Sequence, residues 1–159
     1  MEYKFDSCAT YQLLNTMHHT KEKGDLGNLK IAAEIAAQGF KVLVPVSEHL
    51  PFDLVAYDQE TGNLYKIQSK YCSINKLGLI SIGLKSTYSS SSGKTSKRYT
   101  NNSFDILAVY CPNLEAVIFI SEKEVQKLSS TINFSISKQY SNNRYWKDYT
   151  DIKKAISHS

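Results

Sequence analysis

Three polar residues define the chemistry available to this chain. Asp53 stands near the start of an apolar run, PFDLVAYD, and Gln68 and Lys70 lie two apart in a second run, LYKIQSKY. The linking residues, QETGN around Gly62, have turn composition, so the runs read as two arms of a hairpin. Strand side chains alternate, which puts Lys66, Gln68 and Lys70 on one face and Tyr65, Ile67, Ser69 and Tyr71 on the other. Asp53 on the neighbouring arm can face Gln68 and Lys70. A carboxylate, an amide oxygen and an ammonium at one point suit a hard divalent cation and a phosphate. The lysine could orient a water and offset charge in a pentavalent transition state. A surface hairpin with a polar face carries the same pattern, because D…QxK also recurs by chance.

These residues need a frame. Before them, KGDLGNLKIAAEIAAQGF has Leu26, Leu29, Ala32, Ala33 and Ala36 at helical spacing, with Thr20 as a possible cap and Gly39 as terminator. The alanines predict a helix lying close to a sheet. FKVLVPV then reads as a strand, with Pro45 pointing to an edge or a strand end. After the hairpin, LISIGLK, FDILAVY and AVIFI read as further strands, and INFSIS as another. Ser121 and Glu124 form a capping box for a short helix, SEKEVQKL. The order predicts an α+β domain with an antiparallel meander at its centre. Residues 1–19 are an N-terminal lead-in, and 20–159 form a single domain.

Residues 86–103, STYSSSSGKTSKRYTNNS, are too polar to pack and read as a basic loop or long hairpin tip. Lys94, Lys97 and Arg98 could meet DNA phosphates there, or simply be solvated. Gly93–Thr95 has the GKT of a phosphate loop, but Tyr88 stands where its first glycine is required, which rejects nucleotide binding. The tail mixes Arg144, Trp146, Lys147, Lys153 and Lys154; its aromatics are expected on the core and its lysines in water. His18 and His19 are adjacent, so they diverge on a helix or strand and make a poor chelate. Tyr110-Cys111-Pro112 has no histidine nearby and reads as a structural turn.

The totals agree with a single globular domain of 159 residues, 42% hydrophobic, with a net charge of +4 that permits nucleic-acid binding without requiring it. Three scattered cysteines, Cys8, Cys72 and Cys111, give neither a zinc motif nor a disulfide framework. No apolar run is long enough to span a bilayer and MEYKFDSCAT lacks a signal-peptide core, so a cytoplasmic or organellar-matrix protein, not a secreted one, is expected.

The segments KGDLGNLKIAAEIAAQGFKVLVPV, PFDLVAYD and YKIQSKY together resemble the core of the PD-(D/E)XK nuclease superfamily. They are most similar to its group I intron-associated homing endonucleases, in which QxK replaces (D/E)xK, as in Gln68-Ser69-Lys70. The likeness continues through FDILAVYCPNLEAVIFI and reaches RYWKDY, covering most of residues 20–150. It implies a restriction-endonuclease-like core, with an N-terminal helix on a mainly antiparallel sheet. It implies a site-specific, Mg²⁺-dependent DNA endonuclease acting on double-stranded DNA as a dimer or tetramer. Asp53 and Gln68 would hold the metal and Lys70 the attacking water. The chain departs from the pattern at Asn28, where the family carries a metal-binding glutamate; Asp25, at i−3, is a possible substitute carboxylate. The departure implies an alternative, a catalytically weakened or inactive DNA-binding relative.

Overall fold

The computed structural model describes residues 20–47, 49–90, 93–138 and 144–158, with backbone alone over 86–98. The lead-in, with Cys8, His18 and His19, lies outside the described residues. The helix α1, Thr20–Ala37, is followed by short strands β1, Lys41–Leu43, and β2, Leu54–Tyr57, and by the long β3, Leu64–Tyr71. Next come β4, Leu79–Gly83, and a ribbon of β5, Lys85–Ser90, and β6, Gly93–Arg98. The strands β7, Ile106–Cys111, and β8, Ala116–Ser121, lead into α2, Glu122–Gln126, and β9, Thr131–Ser135. Finally β10, Arg144–Tyr145, runs into a 3₁₀ turn, Trp146–Tyr149, and α3, Ile152–Ser157.

Five strands form the central sheet in the order β1-β2-β3-β7-β8. β1, β2 and β3 make the expected antiparallel meander, but β3 and β7 pair in parallel, with Gln68 opposite Leu107 and Lys70 opposite Val109. The sheet is therefore mainly antiparallel with a parallel seam at its middle. That seam explains the unbroken apolar sequence of β7, all six residues of which are buried. LISIG does not extend the meander. It is β4, paired with β9 in a separate three-stranded sheet.

One face of the central sheet carries α1 and α3, with Ile31, Ile35 and Ile152 packed on Ala56, Ile67, Ala108 and Phe119. The other face meets the second sheet, with Leu107, Val109, Ile118 and Ile120 against Ile80, Ile82, Ile132 and Phe134. The result is three layers, helix on sheet on sheet. Trp146 and Tyr149 pack on the second core, as expected for the tail.

The buried stripe of α1 is Gly27, Ile31 and Ile35, and Leu29 is 70% exposed. Of the stripe read from Leu26, Leu29, Ala32, Ala33 and Ala36, only Leu26 and Ala32 pack against the core and the other three are exposed, so that reading is off by part of a turn. The isoleucines, at i and i+4, bury more apolar area than alanines and set the helix rotation. Thr20 is itself helical, not a cap. At the other end Gly39 has φ +93°, its N–H reaches the Ala36 carbonyl and the Phe40 N–H reaches Ile35, a Schellman closure. Ser121 caps α2 as the capping box predicts, accepting from the Glu124 N–H at 3.4 Å. The polar stretch over 86–103 is not a loop throughout: β5 and β6 pair in register from Lys85–Arg98 to Ser90–Gly93.

Candidate active site

Asp53 lies just before β2, and its N–H bonds to the Ile67 carbonyl at 2.9 Å, which sets it beside β3. Its Oδ2 accepts from Gln68 Nε2 at 2.5 Å and from the Ser69 N–H at 2.7 Å. A carboxylate can only accept, so the Gln68 amide must turn its NH₂ toward it. That leaves Gln68 Oε1 and Asp53 Oδ1 without hydrogen-bond partners among the described residues. Ser69 Oγ is also buried without a partner among them.

A cleft of about 310 Å³ runs past these groups. Its other wall is α1, from which Lys21, Asp25 and Asn28 line the cavity at i, i+4 and i+7, one helix stripe. α1 passes close to β3 at Gly27. A Cβ there would stand 3.5 Å from Tyr71 Cβ and 3.8 Å from the Lys70 carbonyl. The cleft therefore brings Asp53, Gln68, Lys70, Asn28 and Asp25 to one place.

Electrostatics mark the same place. Burial pushes the Asp53 carboxyl above the ordinary carboxylate range, against the opposing pull of the Ser69 N–H and Lys70. Burial pushes the Lys70 ammonium down, opposed by Cys72 and Asp53. Lys70 Nζ donates to the Lys85 carbonyl at 3.0 Å and lies 5.5 Å from the Tyr99 ring centroid. An acid and a base both shifted by desolvation and facing one cleft are the signature of a functional site.

The donor set has the oxygen chemistry of a hard-cation site, with little anionic charge. Asp53 Oδ1, Gln68 Oε1 and the Asn28 amide are oxygen donors of the kind Mg²⁺ takes, and phosphate and water commonly complete its octahedron. Only Asp53 and the exposed Asp25 supply anions there, and among the described residues no three His, Cys, Asp or Glu side chains converge.

Lys94, Lys97 and Arg98 fall on β6, opposite Ser89, Ser86 and Lys85. The placement of those side chains lies outside the described structure. Sequence reasoning missed Lys21, which its spacing from Asp25 and Asn28 could have revealed. It also missed Tyr99 and the Lys85 carbonyl, for which no local signal exists. A second cavity, about 480 Å³, lies by Arg144 and Glu124, far from this chemistry in kind. Glu124 there is already engaged by Arg144 Nε at 2.5 Å and by the Tyr149 hydroxyl at 3.1 Å. Cys111 is buried as the last residue of β7, paired with Ala116, and the turn begins after it at Pro112.

Fold and cleft together define a nuclease core, and the family comparison agrees. The PD-(D/E)XK endonuclease family matches residues 18–152, and the chain belongs to that family. Among solved structures it is similar to the bacterial homing endonuclease I-Ssp6803I. The TM-score is 0.69 at 22% identity, covering 87% of this chain and 96% of that one, a likeness of fold. No curated protein sequence matches the chain significantly.

Proposed function

We propose that this chain is a Mg²⁺-dependent DNA endonuclease of the homing type, hydrolysing phosphodiester bonds at a defined site in double-stranded DNA. The observation that carries the reading is the Asp53–Gln68–Ser69 contact, with Lys70 and Asn28 on the same cleft. Asp53, Gln68 and Asn28 would hold the cation, which when bound supplies Lewis-acid polarisation of the phosphoryl oxygen. The Ser69 N–H fixes Asp53, so that Oδ1 stays aimed into the cleft. Gln68 donates to Asp53 and keeps its own oxygen free for a ligand. Lys70 orients the attacking water and offsets the negative charge that gathers on the phosphate. Water adds at phosphorus, and the ester oxygen leaves with a proton.

Lys94, Lys97 and Arg98 contact the DNA backbone away from the cut. A homo-oligomer, dimer or tetramer, fits the reading, since one small chain with one cleft must cut two strands. A second reading is favoured by one observation, the amide at Asn28. With a single firmly placed carboxylate the site is short of charge, and the chain would be a weakened or inactive relative that still binds DNA.

The test is cleavage of DNA from the host locus with Mg²⁺ present or chelated, for the native chain, Asp53→Asn, Asp25→Asn and Asn28→Glu. Native cleavage lost in Asp53→Asn supports the first reading. Cleavage seen only in Asn28→Glu supports the second. Loss in Asp25→Asn assigns Asp25 as the second carboxylate. No cleavage and no salt-dependent binding by any of them rejects both.

A further inference from the structure

The ribbon and the cleft meet at one amine. β5 begins at Lys85, and the chain leaving β6 reaches Tyr99 immediately. Lys70 Nζ donates to the Lys85 carbonyl at 3.0 Å and stands 5.5 Å from the centre of the Tyr99 ring. Tyr99 is 9% exposed, and its ring is held edge-on by Phe104, centroids 5.0 Å apart at 90°. The ring face presented to Lys70 is therefore fixed by the core. A lysine is a point charge on a flexible four-carbon stem, and nothing in its own strand holds the ammonium in one place. Asp53 lies across the cleft but makes no ion pair with it within 4.0 Å.

We propose that Tyr99, together with the Lys85 carbonyl, is the positioning element for Lys70, so that the two roots of the ribbon set the amine that acts on the phosphate. The inference rests on the reading of the cleft as the cutting site. It assigns Tyr99 a role beyond packing: its π face steadies a cation that burial disfavours. It also links two functions by construction. A ribbon seated on DNA fixes Lys85 and Tyr99, and through them Lys70, at the moment a phosphate enters the cleft.

The experiment compares Tyr99→Phe, which keeps the ring, with Tyr99→Leu, which keeps apolar bulk without it; Tyr99→Met replaces the latter if it melts below the assay temperature. Single-turnover cleavage with Mg²⁺ should fall roughly 10–100-fold in Tyr99→Leu and stay within about twofold in Tyr99→Phe, the range that misplacement of a reacting group produces. DNA affinity, measured with Ca²⁺ in place of Mg²⁺, should be unchanged in both. NMR gives a readout free of activity: the Lys70 side-chain resonances should carry a ring-current displacement that Tyr99→Phe keeps and Tyr99→Leu loses. The proposal is overturned if folded Tyr99→Leu cuts at the native rate, if Tyr99→Phe falls as far as Tyr99→Leu, or if the Lys70 resonances are the same in all three. If the native chain cuts no DNA, the nuclease reading fails, and the NMR comparison alone decides whether Tyr99 holds Lys70.

Discussion

Asp53 shows at the residue scale what burying a carboxylate costs. Its carboxyl is raised above the ordinary range by burial, so the charged form is the disfavoured one in the fold. A group with a raised folded pKa gives its full stability below the unfolded value and loses it as pH rises through the folded value. At neutral pH, without metal, Asp53 therefore destabilises the protein. Asp53→Asn should raise Tm at pH 7. The gain should vanish below the ordinary carboxylate pKa, where both side chains are neutral. Thermal melts of both proteins at pH 3 and pH 7 check it. A lower Tm for the variant at pH 7 would mean the Ser69 and Lys70 contacts outweigh burial. The meeting of Gln68 and Lys70 with Asp53 was legible, because strand alternation is a local rule. The Ser69 N–H that fixes Asp53 was not, since every residue but proline has such a group and only register selects one.

At the scale of elements, α1 and the ribbon are the parts that the sequence described least well. The helix was found, but its rotation was not, because the stripe was read through three alanines and left out Ile31 and Ile35. Gly27, passed over in that reading, is where α1 passes closest to Lys70 and Tyr71 of β3, with room for one methyl group and no more. The 3.5 Å from an added Cβ to Tyr71 is ordinary van der Waals contact. Gly27→Ala should thus stabilise the protein by ~0.5–1 kcal/mol through backbone entropy. Gly27→Leu should instead lever α1, with Asn28 and Asp25, off the cleft and lower Tm. Urea unfolding of the two variants separates these outcomes. In the ribbon, polar composition left a loop and a long hairpin as alternatives, and the hairpin holds, its strands pairing through backbone groups that composition does not report. Replacing Lys94, Lys97 and Arg98 by alanine should flatten the salt dependence of DNA binding by about two to three units of log slope. Fluorescence anisotropy against salt concentration tests this, and an unchanged slope removes the ribbon from the DNA interface.

The whole molecule is closed by a contact far apart in sequence. Gln38, just past α1, donates from Nε2 to the Thr150 carbonyl at 2.8 Å, and its Oε1 accepts from the Ile152 N–H at 2.8 Å. One amide thus ties α1 to the start of α3. Gln38→Leu leaves two backbone groups unpaired and should cost about 1–3 kcal/mol, read as a lower urea midpoint. Closures of this kind, like the parallel seam of β3 and β7, were not legible, because no periodicity links residues so distant. The α+β class, the meander and most strand positions were, because each follows from local alternation and turn residues.

The Gln38 contact also orders events in time. Ile152 and Ala155 belong to the same core as Ile31 and Ile35, so the layer that presses α1 onto the sheet is unfinished until residues 150–155 have been synthesised. At ~5–20 residues per second of translation, Gln38 waits about 6–23 s for the partners that clasp it. A chain that ends short of Thr150 leaves the C-terminal end of α1 without that clasp.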